Sequence, residues 1–401
     1  MSTHAQVQRL AELVTERAPG LLAAALASLP FPHRVLRGDI ELAARRLAAF
    51  DQLLPALAGR QPLGTVAITL PGNAILSNPV TAVASAVLAG NRARLRFPQR
   101  RKQWADALAE LFSDAFGPAI EPIDQPGPGF LDDSFADPDV AALVVFGSDD
   151  WMLGYQELAR STGTKVVFEG PGKDPFLVLP GANVQAAAAA AAVSGTYNAG
   201  QACTAPERIY VAEPIHDEFV DALVATVEKL PAGDIADPRT WLGPLTETGA
   251  AQVRGQLEQA VTLGAEVVAG GRFEGTLLAP TVVVGADHRM DLMRLETFGP
   301  VLPVAAIDSV EQALTLAEDS PYGLSATVFG GPGWLPDRLA RSHGDVHRDE
   351  SWLDRRWRLP LARYGGRRRS GWVWEWQSDQ FVRRDGPRSS VRELSKPLID
   401  D

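Results

Sequence analysis

From Gly64 onward the chain repeats one pattern: a short β-branched, apolar run, a break at glycine, proline or asparagine, then a stretch of helical period. "GTVAITL" (64–70), "RARLRF" (92–97), "AALVVFG" (141–147) and "KVVFEG" (165–170) read as strands, with "NPVTAVASAVLAG" and "RKQWADALAELF" as helices between them. Parallel neighbours need a crossover, so strand–helix–strand alternation builds a parallel sheet with helices on both faces. The alternation resumes after Cys203 with "RIYVAE", a helix from His216 to Leu230, a helix over "GAAQVRGQLEQAVTLGA", and then "EVVAGG", "LLAPTVVVG" and "VLPVAAI". We therefore expect an α/β fold of two doubly wound parallel-sheet domains, 1–170 and 171–375, divided near "EGPGKDP", with 376–401 as a C-terminal return. Ahead of the first strand, Leu10, Leu13, Val14, Leu21, Leu22, Ala25 and Leu26 share one helical face, and a second amphipathic stretch runs from about Asp39 to Leu57. The run Ala186–Ala192 reads as a helix. From Arg341 on, a segment with five tryptophans has no clear period.

Charge and cysteine usage narrow the function classes. A net charge of -11 leaves no general basic surface for nucleic acid or anionic lipid. No apolar run approaches the roughly 20 residues that span a bilayer, and the acids in "MSTHAQVQRLAELVTER" break up any signal-peptide core, so the expectation is a cytoplasmic protein. The single cysteine excludes an internal disulfide and any multi-cysteine metal site, and no metal is expected.

That cysteine, Cys203, stands in "SGTYNAGQACTAPERIYV", after the alanine-rich helix and before a β-branched strand. A lone cysteine is compatible with a small buried hydrophobe as well as with a nucleophile. Gly200, Gln201 and Pro206 make the segment a tight bend, in which a thiolate can reach a ligand and a backbone N–H can face the same space. Attack on a carbonyl further requires a base and a second oxyanion donor. Glu169, at the end of an apolar strand, supplies the first type of residue, and Asn73, after Pro71–Gly72, the second. Each also has an ordinary reading, as a strand-end acid and as a turn residue.

Taken together, these segments resemble the aldehyde dehydrogenase superfamily over nearly the whole chain. Asn198, Gly200, Gln201 and Cys203 match its nucleophile motif, and "EGPGK" (Glu169, Gly172, Lys173) matches its general-base motif. The two lie 203 minus 169, or 34, residues apart, the family's usual separation. "LPGN" with Asn73, "ETFGP" (296–300), "PYGLSATVF" and "YGGRRRSG" (364–371) follow in the family's order. The resemblance implies a Rossmann-like cofactor domain, a catalytic domain and a reduced oligomerisation segment. It implies NADP- or NAD-dependent oxidation of a small-molecule aldehyde to a carboxylic acid, with Cys203 as nucleophile, Glu169 as base and Asn73 as oxyanion donor. Arg96, Gln99, Gly147, Ser148, Gly170, Glu296 and Phe298 fall at its cofactor positions.

Several positions depart from the family. Only Ala56 to Pro62 lie where it usually places a bridging hairpin, and fewer residues precede the first motif, so we expect a homodimer rather than a larger assembly. Gly72 replaces a tryptophan and Pro171 a glycine. Asp149 and Asp150 follow Ser148 where a diphosphate is expected, and would repel it unless turned away. Gln99 replaces the acid that disfavours a 2′-phosphate, with Arg96 and Arg100 to Lys102 nearby, which favours NADP. Two alternatives remain: a relative that acylates coenzyme A or reduces a thioester, disfavoured by Glu169, and a catalytically silent binding or structural member. A papain-type hydrolase lacks a histidine placed near the thiol.

Overall fold

The computed structural model describes residues 1–98 and 102–398. Two seven-stranded, mostly parallel sheets organise it. The first runs in the order Gln380–Arg384, Gly371–Gln377, Lys165–Glu169, Val140–Phe146, Thr65–Thr69, Arg92–Arg96, Ile120–Ile123. The second runs Asp345–Arg348, Ser325–Phe329, Asp174–Val178, Pro206–Ala212, Val301–Ile307, Thr281–Val284, Glu266–Ala269. Central strands such as Val140–Phe146 (VAALVVF) are apolar without alternation because helices cover both of their faces. The chain leaves the first sheet at Glu169 and enters the second at Asp174.

The amino-terminal region differs from its expected two helices. It forms three, Thr3–Glu16, Ala18–Ser28 and His33–Ala48, and then a 3-10 segment, Phe50–Leu57. Proline accounts for the breaks: Pro19 sits in the first turn of the second helix, and Pro30 and Pro32 separate it from the third. These helices join Ser77–Leu88 and Lys102–Phe116 on one face of the first sheet. The helix Ser77–Leu88 begins after Leu76, which has no capping oxygen. Asp39 from the third helix does that work, accepting from Leu76 N at 2.7 Å and Ser77 N at 2.9 Å.

The tryptophan-rich segment is a second departure from expectation. Strand Gly371–Gln377 pairs antiparallel with Lys165–Glu169, and Gln380–Arg384 extends the edge. The expected boundary at 375 therefore falls inside a strand of the first sheet. Trp372 and Trp374 are fully buried there, on the face with Phe130, Leu131 and Phe168. Alternation in "GWVWEW" is half-visible in the sequence, but tryptophan on both inward positions hides its period among other apolar residues. Near the end, Ser395–Pro397 pairs antiparallel with the short link Arg60–Pro62. Among the described residues, no helix is long and apolar enough to cross a membrane.

Candidate active site

In an open parallel sheet, ligands gather beyond the carboxyl ends of the strands, where the strand order reverses. Here the reversal lies between Thr65–Thr69 and Val140–Phe146. Asn73, Gly147 and Glu169 all follow carboxyl ends at that edge. Cys203 approaches from the other sheet, three residues before Pro206–Ala212. Cys203, Glu169 and Asn73 line one cavity of about 430 Å³.

The loop carrying the thiol is tightly specified. Asn198, Ala199 and Gly200 take left-handed backbone, with φ of 55°, 54° and 72°. For the first two this costs roughly 1–2 kcal/mol each, strain of the kind that clusters at functional sites. Gly200 is required sterically as well, since a Cβ there would lie 2.1 Å from the Gly299 carbonyl. Gly172 packs against the thiol's own backbone, and a Cβ on it would lie 2.0 Å from the Cys203 carbonyl oxygen. Asn198 Nδ2 donates to the carbonyls of Asn73 (3.4 Å) and Gln201 (3.3 Å), and Asn73 Nδ2 donates to Gln201 O at 3.4 Å. These long bonds tie the Asn73 turn to the cysteine loop and, among the described residues, leave one N–H of the Asn73 amide without an acceptor.

The thiol is half-buried, with Sγ 3.3 Å from the Tyr364 hydroxyl. Burial pushes its pKa up to about 12; the Tyr364 hydroxyl opposes that, and the carboxyls of Glu296, Asp174 and Glu169 add to it. The resting group is therefore a thiol. Burial also raises the Glu169 carboxyl above the usual carboxylate range, against the opposing pull of Arg388. Arg388 Nη2 donates to Glu169 Oε1 at 2.9 Å, and the other carboxyl oxygen is buried without a hydrogen-bond partner. Pro171 leaves this arrangement intact: Glu169 still lines the cavity with Cys203.

On the cofactor side a buried ion pair organises the loop 296–298. Lys173 Nζ meets Glu207 Oε2 at 2.8 Å and Thr297 Oγ1 at 2.9 Å. Glu207 accepts from Thr297 N at 2.7 Å and Phe298 N at 2.8 Å, which holds Phe298 in its left-handed conformation (φ 53°). Glu296 Oε1 accepts from Gly172 N at 3.1 Å. Among the described residues its second oxygen has no donor. Burial and the neighbouring Glu207 push its carboxyl pKa upward, which a hydroxyl donor would counter. Such an oxygen fits a ribose hydroxyl.

The strand-end turn at Gly147 and Ser148 resolves the question posed by its acids. Asp149 and Asp150 are both paired with Arg369, which offsets one of their two negative charges. A Cβ at Gly147 would meet the Trp151 ring at 3.3 Å, and Gly170 lies so close to Phe168 that a Cβ there would clash at 2.5 Å. Arg96 Nε donates to Gln125 O at 3.2 Å, and its two amino groups have no acceptor among the described residues. Gln99 lies outside the described residues. The donor set as a whole fits a nicotinamide dinucleotide.

Sequence reasoning did not assign Glu207, Arg369 and Arg388 a role. Arg369 lies inside the quoted "YGGRRRSG", but nothing in that run shows which arginine turns toward Asp149. Arg388 reaches Glu169 across 219 positions and leaves no local signal.

Comparison with known proteins agrees with this layout. A model of the aldehyde dehydrogenase family matches residues 7–372. A vanillin dehydrogenase of Pseudomonas fluorescens is 35% identical over 280 residues, covering 68% of this chain and 58% of that protein. An NADP(+) succinate-semialdehyde dehydrogenase of Mycobacterium leprae is 33% identical over 306 residues, covering 72% of this chain and 63% of that protein. The matched region is thus under two thirds of the length of these relatives. The crystal structure of an NAD-dependent aldehyde dehydrogenase from Sinorhizobium meliloti superposes with a TM-score of 0.88 at 26% identity, covering 99% of this chain and 81% of that one. Two sheets meeting at a strained cysteine loop, and a family model that matches from the first helix to the strand at 371, give one conclusion: the chain belongs to the aldehyde dehydrogenase family.

Proposed function

We propose that this chain oxidises an aldehyde to the corresponding carboxylic acid, with NADP or NAD as hydride acceptor, through covalent intermediates on Cys203. The observation that carries the reading is the convergence of Cys203, Glu169 and Asn73 on one cavity, with the Glu296–Phe298 loop fixed beside Gly172. As the bond from Sγ to the aldehyde carbon forms, the thiol proton passes to the Glu169 carboxylate and then to solvent. Asn73 Nδ2 and the Cys203 backbone N–H donate to the carbonyl oxygen as it gains charge. A nicotinamide dinucleotide held beside the Glu296–Phe298 loop would supply the hydride acceptor for the oxidation. Glu169 then takes a proton from water as the water oxygen adds to the thioester, and the carbon–sulfur bond breaks to return the thiol.

Glu296, Gly147, Ser148, Phe298 and Arg96 would hold the dinucleotide. The uncommitted amino groups of Arg96 support acceptance of NADP at least as well as NAD. An NAD preference beyond about tenfold in kcat/KM, roughly 1.4 kcal/mol, would refute that. The short Arg60–Pro62 link supports a homodimer, which light scattering reads directly, and the net charge of -11 supports the absence of nucleic-acid partners. The direct test supplies a panel of aldehydes with either nucleotide. Equal amounts of acid and reduced nucleotide, with no dependence on coenzyme A, are expected. Failure to form reduced nucleotide with every aldehyde, together with no change in NADPH fluorescence on mixing, would overturn the reading.

A further inference from the structure

The cavity that opens onto Cys203 extends beneath the third helix, His33–Ala48, and its charged wall is unevenly paired. Arg356 is matched by Asp39 at 3.1 Å, Arg388 by Glu169 at 2.9 Å, and Arg355 by Asp345 at 3.3 Å. Glu393 is taken by Lys165 and Arg384. Arg363 and Arg392 are exposed at the surface. Arg46 differs from all of these. It is part-buried on the wall, and no carboxylate among the described residues lies within ion-pair distance of it.

Its hydrogen bonds go to neutral groups, and one nitrogen makes them all. Nη1 donates to Ser77 O at 2.9 Å, Asn78 Oδ1 at 2.8 Å and Thr81 Oγ1 at 3.3 Å. Nε is buried without an acceptor, and Nη2 has none among the described residues. The bonds to Ser77, Asn78 and Thr81 hold the guanidinium on the first turns of the helix that follows the Asn73 loop. Arg46, Asn73 and Cys203 line the same cavity. Asp39, the one carboxylate near it, already accepts from Leu76, Ser77 and Arg356. Burial and repulsion from Arg356 both disfavour the charge on Arg46, which an anion would relieve.

We propose that the cavity takes aldehydes bearing a carboxylate at the end remote from the reacting carbon, and that Arg46 is the partner of that carboxylate. Nη2, which no acceptor takes among the described residues, is the group left to donate to a carboxylate oxygen. The inference rests on the aldehyde oxidation proposed above, with the aldehyde carbon at Cys203.

The test compares 4-oxobutanoate, 5-oxopentanoate and 6-oxohexanoate with the n-alkanals of equal chain length. In the wild-type protein at least one acid should exceed its alkanal tenfold or more in kcat/KM. In Arg46→Gln that ratio should fall at least tenfold, carried by KM, while Arg46→Lys retains part of it. Calorimetry with succinate, glutarate and adipate gives a second readout that needs no turnover. The best dicarboxylate should bind the wild-type chain and lose at least tenfold in affinity in Arg46→Gln. Equal kcat/KM for acids and alkanals in the wild type, or dicarboxylate affinity indifferent to Arg46, would overturn the proposal. Arg46-dependent dicarboxylate binding without oxidation of any aldehyde would instead refute the catalytic reading and leave this one standing.

Discussion

Glu169 shows how one residue's chemistry is set from a distance. Its carboxyl is raised by burial and restrained by Arg388, which donates at 2.9 Å and is itself anchored on the carbonyls of Phe168 and Gly386. Replacing Arg388 by Gln removes the lowering influence, so the Glu169 pKa should rise further. A base is active only above its pKa, so the acidic limb of the kcat–pH profile should shift to higher pH, with activity near neutrality reduced and partly recovered on alkalinisation. A profile unchanged in position would show that Arg388 does not tune the base. The sequence displayed the catalytic candidates themselves, because Asn73 and Glu169 each adjoin a glycine at a strand-end turn and Cys203 lies in the bend between Gly200 and Pro206. It did not display Arg388, whose contact depends on how the chain returns after 371, nor the pairing of Asp149 and Asp150 with Arg369.

At the scale of elements, the crossover between the sheets and the cysteine loop are fitted to each other. Gly172 allows residues 170–173 to lie against the Cys203 backbone, while its N–H holds Glu296. Gly172→Ala should therefore displace the thiol loop, a small overpacking of roughly 1–3 kcal/mol in stability. A shift of about 1 Å at the nucleophile costs on the order of a hundredfold in rate. The expected result is a folded protein, melting a few degrees lower, with kcat/KM down about a hundredfold; unaltered kinetics would mean the close approach is not needed. Several of the parallel strands were legible because buried strands read as unbroken apolar runs such as "VAALVVF", whereas Ile120–Ile123, Asp174–Val178, Ser325–Phe329 and Asp345–Arg348 were not read. The strands at 371–384 were not, since they add to the first sheet's edge after the second sheet is complete, and proximity along the chain carries no trace of that return. The split of the amino-terminal helices was written in Pro19, Pro30 and Pro32, although shared helical periodicity across Arg17 masked the first break.

For the whole molecule, the proposed mechanism has two sheets deliver two halves of one reaction: the second sheet would supply the nucleophile, needed before hydride transfer, and the first sheet the base, needed chiefly after it. Rapid mixing of enzyme, nucleotide and aldehyde separates these halves. Cys203→Ala should show neither a burst of reduced nucleotide nor turnover. Glu169→Gln preserves the shape of the carboxyl and removes its basicity, so general-base catalysis worth about 10² to 10⁴ should be lost from turnover. Because the Cys203 thiol is protonated at rest, the burst in that variant should be slower near neutrality and recover toward higher pH, while its amplitude stays near one equivalent per site. The measurement that decides the account is therefore the stopped-flow burst of NADPH in Glu169→Gln against the wild type. A stoichiometric burst followed by turnover reduced at least a hundredfold is the predicted result, and wild-type turnover in that variant would contradict it.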